Sequence, residues 1–231
     1  MNVKSRRGFL NKQNKNRKRK QKMKEQTVED IILPGAITGI CGLLYSEEQS
    51  KKLLATLPSD KILRWCKKND YAVIPTPPEQ MSLLRIRSLQ ANLLYASKTS
   101  RGDNLFKMDF AQNDRTTFGW IAIRKSAVPN SMGEKLGEQK KLLTGKEFIP
   151  NVAELAWFIT AYYKVRGIHL FANHVWVRTS SKLPYPRYEC ANVLLGGRDE
   201  KHWLEVSYNN ADTGFDNYHF RNVGLASALM V

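Results

Sequence analysis

The sequence predicts an α+β domain with an antiparallel sheet, on three observations. Residues 151–166 carry the clearest helical pattern. Asn151 is placed to cap it, Glu154 three positions on can bond back, and Val152, Leu155, Ile159 and Tyr162 recur at helical spacing. Three strand-like runs follow, Val175–Thr179, Ala191–Leu195 and Trp203–Tyr208, with turn residues between them instead of helices. Residues 222–231 then return to small apolar side chains, which are stable only by closing a sheet or packing on the core. Strands that follow one another without crossover helices pair antiparallel.

The chain has 231 residues, 42% of them hydrophobic, which suits one sizeable core. The net charge of +16 is uneven, because residues 1–24 hold 11 Lys/Arg and no acid. Residues 1–26 are expected to be a disordered basic tail, too poor in apolar side chains to offset the entropy of ordering. Residues 27–231 are expected to form a single α+β domain. No apolar run approaches the roughly 20 residues a membrane span needs, and no signal peptide is visible, so a cytoplasmic protein is the expectation. Cys41, Cys66 and Cys190 are widely spaced and lack a Cys-x-x-Cys pair. They read as reduced thiols, without a disulfide framework or zinc ribbon.

Taken in order, Ile31 to Leu44 holds Pro34, Gly35, Gly39 and Gly42 among apolar residues and predicts a turn-punctuated segment at the domain's edge. Ser46 and Gln49 make a capping box for a helix whose buried stripe would be Leu53, Leu54 and Leu57, ended by Pro58. Ser59-Asp60 starts a second helix with Ile62, Leu63, Trp65 and Cys66 turned inward. Tyr71 to Ile74 is a short strand, broken by Pro75, Pro77 and Pro78. Met81 to Tyr95 reads as a helix. Arg85 and Arg87 would point apart on it, which argues against a joint anion clamp. Residues 97–117 read as a long loop, Trp120 to Ile123 as a strand, and 130–147 as a loop with a frayed helical turn. The helix at 151–166 is expected to be apolar on one side and to stop at Gly167, a residue suited to the left-handed position after a helix. Residues 182–187 read as a turn and 209–222 as a polar loop.

Enzyme chemistry finds little support in the pattern. Ser180, Ser181 and His174 are neighbours in sequence, but no Gly-x-Ser-x-Gly elbow surrounds them. His169, His174, His202 and His219 lack metal-ligand spacing. Asn210, Asp212, Gly214 and Asp216 alternate like the start of a calcium loop, but Arg221 stands where a bidentate Glu is required. No catalytic residue, metal or cofactor is assigned.

Two stretches carry a resemblance. Ile149-Pro150-Asn151-Val152-Ala153-Glu154-Leu155 and Val175-Trp176-Val177-Arg178-Thr179-Ser180-Ser181 are similar to the helix start and following strand of C-type-lectin-like domains of the formylglycine-generating-enzyme type. Leu195-Gly196-Gly197 and Asn222-Val223-Gly224-Leu225-Ala226 resemble the motifs that open and close the variable segment in variable proteins of diversity-generating retroelements. The motifs lie within 145–231. Leu225 stands where that group has a closing Arg, and Arg198 where a Trp is usual. The resemblance implies a lectin-like part over about 110–231. It does not imply the enzyme, because that activity needs a pair of nearby late cysteines and only Cys190 is there.

What the resemblance implies for function is a non-catalytic recognition protein displaying a variable polar-aromatic surface. The ligand-contacting residues would be Arg198, Asp199, Lys201, His202, Trp203, Glu205, Tyr208, Asn209, Asn210, Asp216, Asn217, Tyr218, His219 and Arg221. Their chemistry suits the role, since Tyr and Trp give contact area at low entropic cost and Asn gives adaptable hydrogen bonds. Asn, Asp, Tyr and His codons also differ at a single first base, so adenine-directed mutation could produce the mixture. An ordinary polar surface loop would share this composition. The partner would be a protein or surface ligand. The alternative is non-specific nucleic-acid binding through the tail, at Lys12, Lys15, Arg17, Lys18, Arg19 and Lys20.

Overall fold

A computed structural model describes residues 30–39, 41–95, 105–185, 188–197, 204–210 and 222–231; for residues 95, 184–185, 188–191 and 209–210 it describes the backbone alone. The basic tail lies outside the described residues. The fold is α+β, as the sequence predicts. Its elements are α1 (Pro34–Ile37), α2 (Glu47–Ala55), α3 (Asp60–Lys68), β1 (Tyr71–Pro75), α4 (Leu83–Leu89), β2 (Leu94–Tyr95), α5 (Asp109–Asn113), β3 (Trp120–Arg124) and α6 (Leu136–Lys141), then α7 (Val152–Arg166), β4 (Trp176–Tyr185), β5 (Tyr188–Gly196), β6 (Leu204–Asn210), β7 (Val223–Leu225) and β8 (Ala228–Met230).

There are two sheets; α7 packs on β4 and β5 of the second and against α1, α4 and α5, and its Trp157 side chain reaches β1 of the first. The first has the order β1-β3-β8 and is antiparallel throughout. The second has the order β2-β6-β5-β4-β7, with an antiparallel β4-β5-β6 meander and a parallel strand at each edge. The period-2 alternation of the first sheet divides its side chains between two clusters. Ala72, Ile74, Ile121 and Ile123 join the main core, whereas Tyr71, Val73, Trp120 and Ala122 pack with Leu63 and Cys66 of α3. Both faces are therefore covered, which is why these strands read as unbroken apolar runs.

Helix α7 begins as its sequence requires. The Asn151 side chain accepts from the Glu154 amide at 2.9 Å, and the Glu154 carboxylate accepts from the Asn151 amide at 3.0 Å. Gly167 takes the left-handed conformation after the last turn, with φ 68°. The expected one-sided apolar face is corrected, because every residue from Val152 to Tyr162 is buried. One side of the helix rests on β4 and β5 and other sides are covered by α1, α4 and α5, so this stretch has no wet side. Its polar groups are satisfied internally: the Thr160 hydroxyl donates to the Ala156 carbonyl at 2.7 Å, and the Trp157 indole donates to the Pro75 carbonyl of β1 at 3.0 Å.

Several local expectations are corrected. Helix α2 has its capping box but no buried residue; Leu54 and Leu57 are exposed and only Leu53 packs inward. On α3 only Leu63 and Cys66 are buried, while Ile62 and Trp65 stay 38% and 40% exposed. Positions 62 and 65 share the flank of the helix and not its base. The predicted helix at 81–95 shortens to α4, followed by a turn and the two-residue β2. The expected loops contain α5, with Phe110 and Ala111 buried, and α6, with Leu136 and Gln139 buried. The segment 31–44 is no edge, since Ile32, Ile37, Cys41 and Leu43 enter the main core. Arg85 and Arg87 do diverge: one pairs with Glu79 at 3.5 Å and the other lies 3.9 Å over the Phe106 ring.

The last ten residues tie the two sheets together. Val223–Leu225 runs parallel to β4 while Ala228–Met230 runs antiparallel to β3. Between them the Ser227 hydroxyl lies 2.6 Å from the Tyr71 hydroxyl, and both meet the Glu147 carboxylate. Burial alone would raise the Glu147 carboxyl, but hydrogen bonds from Tyr71, Thr144 and Ser227 outweigh it and hold it below its ordinary value.

Candidate functional site

The polar segment that sequence reasoning singles out is mounted on the second sheet. It leaves the described structure at Gly197, re-enters as β6, leaves again after Asn210 and returns at Asn222. One outer end is held by the turn at residues 171–175 and the other by Trp176, the first residue of β4, directly after it. The Gly197 amide donates to the Phe171 carbonyl at 2.9 Å, and the Gly197 carbonyl accepts from the His174 amide at 2.8 Å. At the other end the Asn222 carbonyl accepts from the Trp176 amide at 2.9 Å. The turn takes its shape from three left-handed non-glycine residues, Phe171, Asn173 and His174, with φ of 55°, 59° and 64°. A bulky residue such as Phe in that region stores strain that the surrounding contacts must offset.

The two glycines of the resemblance have a packing reason here. A Cβ on Gly196 would stand 2.3 Å from the Val175 carbonyl oxygen. One on Gly224 would stand 2.6 Å from the Ala127 Cβ and 2.7 Å from the Met132 sulfur. The mount therefore depends on close approach at both ends.

Arg178 supports the β4–β7 edge from below. It is 1% exposed, donates from Nη1 to the Glu134 carbonyl at 2.8 Å and to Gln139 Oε1 at 2.6 Å, and leaves its Nε without a partner. Burial lowers its pKa to about 10. Gln139 in turn donates to the Ser131 carbonyl at 2.6 Å and the Val223 carbonyl at 3.2 Å, and the Ser131 hydroxyl accepts from the Leu225 amide at 3.0 Å. The network fixes β7 against α6.

Of the fourteen residues predicted to contact a ligand, four are described. Glu205 is half-buried and lies on the face of β6 opposite Leu204 and Val206. Tyr208 lies on the core face, packed against the main cluster. Asn209 and Asn210 belong to β6, paired with Asn192 and Ala191, so the expected loop starts later than predicted. β4 likewise continues through Tyr185 where a turn was expected. Arg198, Asp199, Lys201, His202, Trp203, Asp216, Asn217, Tyr218, His219 and Arg221 lie outside the described residues, as do Lys12, Lys15, Arg17, Lys18, Arg19 and Lys20.

The hydrolase pattern of the sequence is not brought together. His174 is exposed at one end of β4. Ser181 lies five positions beyond Trp176, roughly 16 Å along an extended strand. It is buried there, donating to the Asp114 carboxylate and accepting from the Val152 amide at 2.8 Å. Beside it Glu154 is 4% exposed. Burial pushes its carboxyl up; the Asn151 and Thr117 donors oppose this, and the Asp114 charge adds to it. This buried group anchors the start of α7 to β4. Among the described residues no three His, Cys, Asp or Glu gather as metal ligands. The Cys41 and Cys66 thiols are buried, and burial pushes each up to about 11.

A separate cleft of about 570 Å³ opens between α2 and the loops at 76–78 and 118–119. Tyr45, Leu53, Pro77, Pro78 and Phe118 line it, with Lys52 at its border. The Tyr45 and Gln49 side chains in it are already engaged. The Tyr45 hydroxyl donates to the Thr76 carbonyl at 2.7 Å, and Gln49 Nε2 donates to the Pro78 carbonyl at 3.3 Å. Among the described residues no carboxylate, His or Cys lines it. Sequence reasoning missed this cleft and the Arg178 network, because both are assembled from segments far apart in the chain.

The site and fold together define an α+β scaffold that holds both ends of a polar segment at neighbouring positions. No family model matches the chain, and neither a curated protein nor a solved structure matches it.

Proposed function

We propose that the chain is a non-catalytic recognition protein that presents residues of 198–221 to a protein or surface ligand. The observation that carries this reading is the pair of anchors: Gly197 bonds to the 171–175 turn and Asn222 to Trp176 directly after it. A segment whose two ends are hydrogen-bonded at neighbouring positions can change side chains outside the core face of β6 without moving the frame, which limits the entropic cost of binding. The all-round burial of α7 makes the frame stiff. The proposal includes the lectin-like fold and diversification by a retroelement, which the paired glycine motifs at 196–197 and 224 support.

The test has two arms. Replacing Asp199, Lys201, His202, Asn217, Tyr218 and His219 together by Ser should leave the melting temperature of the full chain unchanged. Unfolding of that variant would show the segment to be structural and defeat the reading. Sequencing the gene's 3′ end and its flanks should reveal a template repeat, a neighbouring reverse transcriptase, and variation confined to codons 198–221. Uniform codons with no repeat would remove the diversification part alone.

A further inference from the structure

The cleft beside α2 uses no residue of the 198–221 segment, and every residue lining it is described. Gln49, Lys52, Leu53 and Thr56 fall at i, i+3, i+4 and i+7, so one stripe of α2 and its C-terminal cap faces the cleft. The loops at 76–78 and 118–119 supply the rest of the lining, with Tyr45. Hydrogen bonds hold these parts together. Gln49 on α2 bonds to the Pro78 carbonyl at 3.3 Å, and the Trp120 indole donates to the Leu53 carbonyl at 2.9 Å. The cleft is therefore formed in advance of any ligand. Its volume of about 570 Å³ falls within the roughly 300–1,000 Å³ of small-molecule sites.

The chemistry of the lining narrows the occupant. The Tyr45 hydroxyl is bonded to the Thr76 carbonyl, the Thr56 hydroxyl donates to the Leu53 carbonyl at 3.1 Å, and the Thr76 hydroxyl donates to the Gly119 carbonyl at 3.1 Å. Pro77 and Pro78 have no N–H to offer. Lys52 differs from all of these. It carries the only charge of the lining. Its neighbour Lys51 pairs with Glu47 at 2.6 Å, but among the described residues no ion pair engages Lys52. Phe118 is 62% exposed, an apolar surface that a bound molecule would remove from water.

We propose that this cleft binds a small amphipathic monoanion, an apolar body ending in one carboxylate. The body rests against Tyr45, Leu53, Pro77, Pro78 and Phe118, and the carboxylate meets the Lys52 ammonium at the border. A ligand rich in polar groups would lose its water and find the wall's hydroxyls already bonded. A cationic one would be repelled by Lys52, and a neutral one would forgo the charge-assisted bond. An extended peptide fits less well, because Pro77 and Pro78 present no amides for strand pairing. The proposal is independent of the recognition reading, since it uses none of the same residues.

Displacement of the fluorescent dye anilinonaphthalene sulfonate from the full chain tests it, with octanoate, octanol and octylamine as competitors. The dye has the same character, an aromatic body with one anionic group. Octanoate should displace it at a concentration about threefold to tenfold below that of octanol, and octylamine should be the weakest. Lys52→Gln should abolish the advantage of octanoate over octanol, whereas Lys52→Arg should keep it. Phe118→Ala should weaken all three competitors about threefold or more. Lys51→Gln, whose side chain is outside the lining, should behave as wild type. Lys52 and Phe118 are exposed, so the variants should melt at the wild-type temperature. Equal displacement by octanoate and octanol in the wild type would overturn the proposal. So would an octanoate advantage that survives Lys52→Gln, a Phe118→Ala variant that binds unchanged, or the lack of saturable dye binding.

Discussion

Helices α2 and α7 open with the same device and end in opposite environments. Ser46 and Gln49 exchange side-chain and backbone hydrogen bonds at the start of one, and Asn151 and Glu154 do so at the start of the other. Yet α2 buries no residue, whereas α7 buries eleven in succession, Val152 to Tyr162. A capping box specifies where a helix begins and nothing about what surrounds it. Burial follows the composition of the remaining positions. In α2 Glu47, Glu48, Ser50, Lys51 and Lys52 leave an apolar edge too narrow to enter a core. In α7 Ala153, Ala156, Ala161 and Thr160 occupy the positions where a surface helix would carry charges.

The comparison can be broken most sharply at Trp157. Trp157→Ala should cost about 3–5 kcal/mol, because it opens a cavity in the main core and removes the indole donor from the Pro75 carbonyl. Urea denaturation gives the value directly, and a loss below about 1 kcal/mol would mean that Trp157 is not enclosed.

The two caps come next. Asn151→Ala should cost about 1–2 kcal/mol and Ser46→Ala about 0.5–1 kcal/mol. The difference arises because the Asn151 amide also donates to the Arg115 carbonyl at 2.8 Å. Equal losses in thermal melts would indicate that burial adds nothing to a cap.

Glu154 extends the contrast to pH. Its carboxyl is raised above its ordinary 4.5 by burial, so the native state keeps a proton that the unfolded state has already released. Stability from this group is therefore highest below pH 4.5 and falls as pH rises through the raised value. Glu154→Gln should flatten that part of the pH–stability curve while keeping an acceptor for the Asn151 amide. An identical profile in the variant would refute the assignment. The smallest effect is expected at Leu54, which is 49% exposed on α2; Leu54→Ser should change stability by no more than about 0.5 kcal/mol.

These contrasts also show what the sequence exposes and what it conceals. Local devices were legible: the caps of α2 and α7, Gly167 after the long helix, the strands around Tyr71, Trp120 and Val193, and the α+β class. Depth was not legible, because it depends on segments far away. Trp65 reads as a core residue by its chemistry, but Leu63 and Cys66 already fill the contact with the sheet. Arg178 reads as an outward charge in a strand, until α6 arrives with Gln139 to enclose it. Leu183-Pro184-Tyr185 looks like a turn because of its proline, whereas pairing with β5 carries the strand on. For the candidate site, the glycines at 196 and 224 were visible as motifs. The turn that Gly196 packs against was hidden, since nothing in Phe171 or His174 announces a left-handed backbone.

The ten residues that bind one sheet to the other have a topological consequence. Val223–Leu225 is hydrogen-bonded to β4, and Ala228–Met230 to β3. A backbone cut between residues 211 and 221 would therefore free no fragment: the distal piece remains stitched into two separate sheets. A chain cut there should stay assembled, and two halves made apart should find each other and reassemble.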